Sequence, residues 1–427
     1  MLIEFSVKNY LSFKDRVTLS LVASTDRTHL ENTFPVGDAP SAPHLLKSVA
    51  IYGANASGKS NLIKALFFAT GLVLTSATRQ QGDKIPLVPF KLDAETVREP
   101  SEFEFVFMLN GQRFVYGFAA DTERVHEEWL TAALPRRKPK ALFRRFADGA
   151  MQFGTSWKGE KSKIRKLTRP NALFLSVAAQ FNHPTVEPVF AWFKDGIKSI
   201  SEQPEIESEM RFTIRLLSRD LGFLEFLRRL VGAADLAIER VEMERRAVTE
   251  EVRQGLSEAV GEAQAAALFP RGMESLTEII VLRSLHRAND GSEVAFEMAF
   301  EESEGTIRLF SVAGPWFYVL NRGCVLLVDE LDAHLHPHLT RFLLGLIHQS
   351  KTSQLIFTTH DCSLLDPDLF RRDQIWFTEK DKSGATDLYS LGDIAVRKDE
   401  NFRIGYLKGR YGGIPFVGDL KFEQTEG

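Results

Sequence analysis

Alternating apolar and polar positions predict a β-hairpin at the start of the chain. Apolar side chains occupy every second position in "IEFSV" (residues 3–7) and again in "VTL" (residues 17–19). A period of two places these side chains on one face of a strand. The polar, proline-containing residues 25–45 then predict a loop.

Two later segments predict further hairpins. "EFEFVFMLNGQRFVYGF" (residues 102–118) is interrupted by Asn110-Gly111, a pair that favours positive φ at both positions of a tight turn. Another hairpin is predicted from about Glu278 to Glu301, with its turn at Asn289-Asp290-Gly291.

Apolar strands alternate with helices in two other parts of the chain. "LLKSVAIYG" (residues 45–53) predicts a buried strand that ends in glycine, and a helix follows from about Lys59. Later come a helix, the strand "CVLLVDE" (residues 324–330), a helix from Pro337 and the strand "QLIFTTH" (residues 354–360). This alternation is typical of an α/β fold.

The middle of the chain has a weaker pattern. Residues 205–265 predict mostly helix, with charged residues on one face, but the segment is too irregular for a long coiled coil. The apolar run "NALFLSVAAQF" (residues 171–181) fits either a strand or a helix. The order of these segments indicates one α/β core that is split by an insertion.

Composition restricts the class of protein. Of the 427 residues, 44% are hydrophobic and 26% are charged, as in ordinary soluble globular proteins. Cys324 and Cys362 are the two cysteines, too few for a disulfide framework, which favours a reducing compartment. The sequence shows us neither a signal peptide nor a stretch long enough to cross a bilayer. We therefore expect a cytoplasmic protein with no membrane partner.

Charge is unevenly distributed along the chain. The net charge is −4, yet the segment Arg136–Arg169 holds twelve Lys and Arg residues against two acids, Asp148 and Glu160. This asymmetry predicts a basic region that faces a nucleic acid or an acidic protein. A solvated loop and helix face explains the same pattern equally well.

A phosphate-binding loop is the most specific motif. "GANASGKS" (Gly53–Ser60) matches G-x-x-x-x-G-K-[ST] between a predicted strand and a predicted helix. Glycines let successive backbone N–H groups face phosphate oxygens, and the helix N-terminus adds partial positive charge. Lys59 is expected to reach the β and γ phosphates and Ser60 to bind Mg²⁺. The residues predicted to bind the nucleotide here are Gly53, Asn55, Ser57, Gly58, Lys59, Ser60 and Asn61.

Acidic residues follow a second apolar strand. Asp329 and Glu330 come directly after "VLLV" (residues 325–328), and ligands of open α/β sheets lie at the carboxyl ends of strands. Asp329 is predicted to hold Mg²⁺, and Glu330 to polarise the attacking water. His360 ends another strand and is predicted to contact the γ-phosphate or that water.

Three histidines surround the start of the later helix. His334, His336 and His338 alternate around Pro337. A metal site is one interpretation, but the sequence offers no matching carboxylate or cysteine set nearby. We favour a loop at a dimer face.

Together these residues resemble ABC-type ATPases of the SMC, RecF and OLD-like group. The resemblance is greatest to short bacterial AAA-family ATPases related to OLD nucleases, and it covers nearly the whole chain. "FSVKNYLSFKD" is similar to their first strand, "LLKSVAIYGANASGKSNLIKAL" to their Walker A segment and "LLVDELDAHLHPHL" to their Walker B segment. The tail "GYLKGRYGGIPFVGD" (Gly405–Asp419) is similar as well.

This resemblance implies a fold and two ligands. The fold is α/β, an ABC-type P-loop ATPase head with an N-terminal antiparallel β subdomain and a mainly helical insertion. The implied domains are an N-terminal ATPase lobe (1–130), an insertion with the basic segment (131–275) and a C-terminal ATPase lobe (276–427). The implied ligands are ATP and Mg²⁺.

The resemblance also implies a composite ATP site. "ESEGTIRLF" (Glu302–Phe310) lies where the ABC signature belongs, so Ser303, Gly305 and Thr306 are its candidates. In such ATPases the signature serine and its helix N-terminus bind the γ-phosphate held by another subunit. The chain is therefore expected to form a homodimer or higher homo-oligomer.

The family also has a switch histidine and a Q-loop glutamine. His360 matches the switch histidine, which with Glu330 and Lys59 completes the predicted catalytic set. Gln80 and Gln81 are candidates for the Q-loop glutamine.

Three functions are compatible with the resemblance. The favoured one is an ATPase that controls a separately encoded effector, a Toprim or RloB-like nuclease, in defence against phage or mobile DNA. A DNA-repair clamp of the RecF or SMC type would place Arg136–Arg169 on duplex phosphates. An OLD-type nuclease is disfavoured, because the 67 residues after His360 fall short of a Toprim domain of roughly 100 residues.

Overall fold

The computed structural model describes most of the chain, namely residues 1–37, 42–134, 137–200, 206–234, 237–250, 278–395 and 400–414. The chain forms two compact units. The first contains Met1–Glu202 and Tyr318–Gly427, and the second contains Gln203–Phe317. The three-part division at residues 131 and 276 differs from these bounds and stays a prediction.

The strands are numbered in chain order. They are β1 (Leu2–Lys8), β2 (Val17–Ser20), β3 (Thr33–Pro35), β4 (His44–Leu46), β5 (Ser48–Gly53), β6 (Ser101–Leu109), β7 (Gln112–Ala120), β8 (Val125–Ala133), β9 (Lys140–Arg145), β10 (Met151–Phe153), β11 (Ile197–Ile200), β12 (Ile238–Ala247), β13 (Glu278–Arg287), β14 (Glu293–Glu297), β15 (Val325–Val328), β16 (Gln354–Thr358), β17 (Ile375–Lys380) and β18 (Thr386–Ser390).

The α-helices of the described residues are numbered in the same way. They are α1 (Lys59–Thr75), α2 (Ser162–Leu167), α3 (Phe174–Gln180), α4 (Glu187–Gly196), α5 (Ile206–Leu217), α6 (Leu221–Ala233), α7 (Met298–Glu301), α8 (Glu304–Arg322), α9 (Pro337–Gln349) and α10 (Phe402–Leu407).

The first unit begins with a seven-stranded antiparallel sheet. Its strand order is β10-β9-β8-β7-β6-β1-β2. The predicted hairpin of β1 and β2 is confirmed, and so is the hairpin of β6 and β7. At its turn, Asn110 and Gly111 have φ of +49° and +73°, as the asparagine–glycine pair predicts.

A six-stranded sheet forms the α/β core of the first unit. Its order is β11-β15-β16-β5-β17-β18, and all of these pairs are parallel except β17 with β18. Every residue of β5, β15 and β16 is buried, as expected for a parallel sheet covered on both faces. The carboxyl ends of these strands lie along one edge, where Gly53, Asp329 and His360 follow them.

Helix α1 has an apolar side that packs into the core. Leu62, Ile63, Leu66 and Ala69 are all buried. Among the described residues, one helix, Lys59–Thr78, is long and apolar enough to cross a membrane by length and composition alone, with a mean hydropathy of 1.3. The expectation that no stretch is long enough to cross a bilayer was therefore wrong. The apolar residues that make α1 meet this length and composition are those that pack into the core.

Aromatic rings join α4 to the antiparallel sheet. Trp192 stacks on Phe107 with ring centroids 3.9 Å apart, and Phe193 meets Phe105 edge-on at 5.0 Å. Such pairs contribute about 0.5–1.5 kcal/mol each beyond area burial. This packing makes α4 part of the first unit, although the predicted insertion 131–275 includes it.

A buried carboxylate explains why residues 171–181 contain the helix α3. The oxygens of Glu128 accept hydrogen bonds from the N–H groups of Phe174 (2.6 Å) and Leu175 (2.9 Å), where α3 begins. These are backbone donors that a helix start leaves without an intrahelical partner. Burial raises the pKa of Glu128, and the positive charge of Arg145, directly opposite on β9, acts in the other direction.

The second unit combines helices with a small sheet. The sheet has the order β12-β13-β14, and both of its pairs are antiparallel. The helices of this unit contact each other through a buried ion pair of Arg308 with Glu209 at 3.2 Å. Phe223 and Phe317 lie with ring centroids 5.2 Å apart. The predicted hairpin between Glu278 and Glu301 is present, although it ends at Glu297, where α7 follows.

The expectation of mostly helix in residues 205–265 is only partly correct. Helices α5 and α6 confirm it, but β12 (Ile238–Ala247) is a strand. Charged residues of β12 pair with charges on the neighbouring strand rather than forming a helix face, such as Glu244 with Arg283 of β13 at 2.9 Å. Residues 251–265 lie outside the described part of the chain.

Replacement of Glu128 by alanine tests the buried carboxylate. We expect Glu128→Ala to lower the free energy of unfolding by about 3 kcal/mol, because it leaves buried backbone N–H donors without an acceptor and the buried cation of Arg145 without its neighbouring negative charge. Urea denaturation measures this change. Glu127→Ala is the control, since that neighbouring side chain is 40% exposed and its pair with Arg144 is worth less than about 1 kcal/mol. Equal effects of the two variants would contradict this interpretation.

Candidate functional site

The glycine-rich loop links β5 to α1 at the carboxyl edge of the core sheet. Gly58 has a φ of +113°, outside the range that L side chains readily adopt. A Cβ atom on Gly53 would lie 2.5 Å from the Thr378 hydroxyl, and one on Gly58 would collide with the Thr386 side chain. The loop therefore requires glycine at both positions.

Hydrogen bonds from other segments hold the loop in this shape. The Ser57 hydroxyl bonds to that of Thr378 at 2.6 Å, and the Thr386 hydroxyl donates to the Ser57 carbonyl at 2.8 Å. Asn61 donates from Nδ2 to the Ser12 hydroxyl at 2.8 Å. Ser57 is thus fixed through both its side chain and its backbone.

Lys59 lies folded over the loop. Its ammonium donates to the carbonyls of Gly53 (2.9 Å) and Ala54 (3.1 Å), and the residue is 5% exposed. Burial lowers the pKa of Lys59, whereas the negative charges of Glu330 and Asp329 act in the opposite direction. A buried cation next to a concave row of backbone groups is suited to an anionic ligand.

The acidic pair follows β15 and is fixed by β16. The Glu330 N–H donates to the Thr358 hydroxyl at 2.7 Å, and that hydroxyl donates to Asp329 Oδ1 at 2.7 Å. Glu330 has a φ of +53°, which is uncommon for a residue other than glycine. Strained backbone of this kind is concentrated at functional sites.

His360 lies on the next strand end. Its side chain is exposed, and its N–H lies 3.3 Å from each carboxylate oxygen of Asp332. Asp332 belongs to the turn that follows the acidic pair, so the turn after β15 and the turn after β16 are joined.

One pocket of about 800 Å³ brings these elements together. It is lined by Asn55, Ala56, Ser57, Gly58, Lys59, Ser60, Asn61, Glu330, His360 and Lys380. Six of the seven predicted loop residues line it, together with Glu330 and His360. Gly53 and Asp329 do not line it, although Gly53 accepts from Lys59 and Asp329 from Thr358.

The candidate signature residues belong to the second unit. The Ser303 hydroxyl accepts from the Thr306 N–H at 3.1 Å and bonds to the Thr306 hydroxyl at 2.9 Å, so it caps the start of α8. The preceding Glu302 accepts from Ser284 and, at 2.7 Å, bonds to His286. Gly305 lies in the first turn of α8.

The three histidines around Pro337 and the two candidate Q-loop glutamines do not line this pocket. His336 caps α9, where its Nδ1 lies 3.3 Å from the His338 N–H. Within the described ranges, no three His, Cys, Asp or Glu residues form a cluster suited to a metal ion. Gln80 and Gln81 follow α1 and do not line the pocket.

The basic segment is only partly a free surface. Arg145 is buried and donates to the Ala172 carbonyl at 2.7 Å, and Arg144 pairs with Glu127 at 3.1 Å. Arg136 lies outside the described residues. The side chains of Arg137, Lys138, Lys140, Lys158, Lys163, Arg165 and Lys166 are exposed.

Sequence reasoning missed several residues of the site. Thr358, Thr378, Thr386 and Lys380 surround the loop or line the pocket, and all of them are far from it along the chain. The sequence does indicate two of these residues, since Thr358 and Lys380 are polar residues at the ends of apolar strands. Their proximity to the loop depends on strand order, which the sequence does not display.

The family of the chain follows from comparison with known proteins. The family described as "AAA domain, putative AbiEii toxin, Type IV TA system" matches residues 48–366, about three quarters of the chain. The chain belongs to this AAA family. The match includes the glycine-rich loop, the acidic pair and His360, and it confirms the predicted resemblance to the AAA family. No curated protein matches the chain.

Solved structures of SMC heads are similar to this AAA protein. "Crystal structure of the SmcHead bound to the C-winged helix domain of ScpA" is 15% identical, with 91% of this chain and 97% of that chain covered and a TM-score of 0.43. "SMC head domain from Thermotoga maritima" is 13% identical, with 92% and 99% covered and a TM-score of 0.39.

Paired glycine substitutions test the shape of the loop. We expect Gly58→Ala to lower the free energy of unfolding by about 1–3 kcal/mol, because alanine is strained at this φ and collides with Thr386. Gly71→Ala in α1 is the control, since its new Cβ meets no atom within 4 Å. It should raise the same free energy by about 0.5–1 kcal/mol. Urea denaturation measures both, and two changes of the same sign would contradict the interpretation.

Proposed function

We propose that this AAA protein is an ATPase that binds and hydrolyses ATP with Mg²⁺ in the pocket of about 800 Å³. The observation that carries the proposal is that one pocket joins the glycine-rich loop to Glu330 and His360, three groups from different strand ends. Such convergence at the carboxyl edge of a parallel sheet is typical of nucleotide sites.

The shape and chemistry of the loop support a triphosphate ligand. Side chains are excluded at Gly53 and Gly58, so backbone N–H groups approach the phosphates closely. Lys59 is held on the loop by two carbonyls, which positions its ammonium for the β and γ phosphates. The Ser60 hydroxyl and the Asp329 carboxylate would hold Mg²⁺, which neutralises charge on the phosphates.

Glu330 is the proposed general base, and His360 assists it. The Thr358 hydroxyl holds the backbone N–H of Glu330, and Glu330 lines the pocket. There it accepts a proton from the attacking water. His360 lines the same pocket and contacts that water or the terminal phosphate.

A second copy of the chain completes the site in this proposal. The Ser303 hydroxyl accepts from the Thr306 N–H, and when the Thr306 hydroxyl is the donor in their shared bond, the Ser303 hydrogen is able to donate to a γ-phosphate. Gly305 leaves the helix start open to close approach, and the N-terminus of α8 favours an anion. This part of the proposal rests on the resemblance to ABC-type ATPases.

The partners are proposed from the same resemblance. ATP-driven assembly controls a separately encoded effector, a Toprim or RloB-like nuclease, in cytoplasmic defence against phage or mobile DNA. The exposed cations between Arg137 and Lys166 favour a nucleic acid or an acidic protein as a contact. A DNA clamp of the RecF or SMC type is the second candidate, and it rests on those cations.

Two substitutions separate ATP binding from hydrolysis. Lys59→Ala should weaken ATP binding by roughly 100-fold, because it removes charge-assisted hydrogen bonds. Glu330→Gln should retain ATP binding but lower kcat by about 10²–10⁴-fold, because only the base is lost. Titration calorimetry and phosphate release measure the two quantities.

Lys64→Ala is the control for the lysine variant, since this side chain lies on the exposed side of α1. Turnover of Glu330→Gln at the rate of the unchanged protein would overturn the assignment of the base.

Replacement of Ser303 by aspartate tests the composite site. Aspartate caps a helix as well as serine does, but its charge repels a γ-phosphate. Ser303→Asp should therefore bind ATP with unchanged affinity and lose most of its ATP-driven association and turnover. Light scattering with and without ATP gives the assembled mass.

Ser218→Asp, at an exposed position after α5, is the matched control. Association of Ser303→Asp at the level of the control would exclude Ser303 from the interface.

A further inference from the structure

Lys380 lies on the strand hairpin that holds the glycine-rich loop. It is the last residue of β17, a strand that runs parallel to β5 with Thr378 opposite Gly53. Side chains two residues apart on a strand share a face, so Lys380 lies on the same face as Thr378. Lys380 also faces Thr386 directly across the hairpin of β17 and β18.

Both of these threonines contact the loop at Ser57. Thr378 bonds to the Ser57 hydroxyl at 2.6 Å, and Thr386 donates to the Ser57 carbonyl at 2.8 Å. Both are buried, with exposures of 0% and 3%. Lys380 neighbours Thr378 along the strand and Thr386 across the hairpin, so it adjoins both threonines that hold Ser57.

Two cavities confirm where the Lys380 side chain lies. It lines the main pocket together with Glu330 and His360. It also lines a second cavity of about 350 Å³, in which the loop residues are Ala54 to Ser57. Lys380 therefore lies beside residues 54–57 of the loop as well as on the wall of the main pocket.

The neighbouring carboxylates are engaged elsewhere. Glu379 accepts from the Tyr389 hydroxyl at 3.0 Å, and Asp381 accepts from the Ser383 and Ala385 N–H groups at 2.8 and 2.9 Å. Among the described residues, Lys380 forms no ion pair with a carboxylate within 4.0 Å. An exposed ammonium at a pocket wall is thus available to an anionic ligand.

We infer that Lys380 is a second phosphate-binding lysine, which contacts the terminal phosphate of a nucleoside triphosphate. The inference rests on the proposed function of the pocket. The backbone at Gly58–Asn61 and the helix N-terminus hold the inner phosphates, whereas Lys380 also borders the first half of the loop and lines the pocket with Glu330 and His360, the groups proposed to act at the terminal phosphate. It therefore distinguishes a triphosphate from a diphosphate.

The test compares two nucleotides on the full chain. AMPPNP, which resists hydrolysis, carries the terminal phosphate, and ADP lacks it. Lys380→Met should weaken AMPPNP binding by about tenfold, the effect of losing one charge-assisted hydrogen bond, and change ADP binding by less than about threefold. Lys380→Arg keeps the charge and should bind AMPPNP within about threefold of the unchanged protein.

Lys382→Met is the matched control, since Lys382 is exposed in the turn between β17 and β18 and lines neither cavity. Titration calorimetry gives the dissociation constants, and thermal unfolding checks that each variant is folded. Equal losses for AMPPNP and ADP, or no loss for either, would overturn the role of Lys380. If the unchanged protein binds neither nucleotide, the proposed function itself fails.

Discussion

The attachment of the glycine-rich loop to the hairpin of β17 and β18 is the constraint on which the site depends. Ser57 is held at its hydroxyl by Thr378 and at its carbonyl by Thr386. These bonds join segments more than 300 residues apart, and they fix a loop whose glycines alone would leave it free to change shape. The order of strands in the core sheet makes the attachment possible, because β17 lies directly beside β5.

Hydrogen bonds to a threonine hydroxyl from a neighbouring strand also fix the acidic side of the pocket. Thr358 ends β16 and connects to both Asp329 and Glu330, the residues that follow β15. A single buried hydroxyl thus holds a carboxylate oxygen and a strained backbone N–H in one arrangement. Thr358 at the end of β16, Thr378 within β17 and Thr386 at the start of β18 hold the glycine-rich loop and the acidic turn. A site of the proposed kind needs such rigid support, since small displacements are costly.

Much of the fold and part of the site could be predicted from the sequence. The loop Gly53–Ser60 is contiguous, so its residue types alone predict its role, and the Asn110-Gly111 turn has an equally local cause. The charge pattern of residues 238–247 predicts helix, although these residues form β12. Alternating charges on a strand resemble those on a helix face until the partner strand is known. The sequence does not indicate the contacts of Lys380 and Glu128, because their neighbours are brought near only in the folded chain.

The supports of Ser57 have a consequence for how far the protein can be trimmed. The family match ends at residue 366, before the hairpin that contains Thr378 and Thr386. A fragment cut to the matched region would keep every residue of the glycine-rich motif and lose the scaffold that shapes it. A fragment that keeps the shape of this loop must therefore extend past Ser390, beyond the end of the family match.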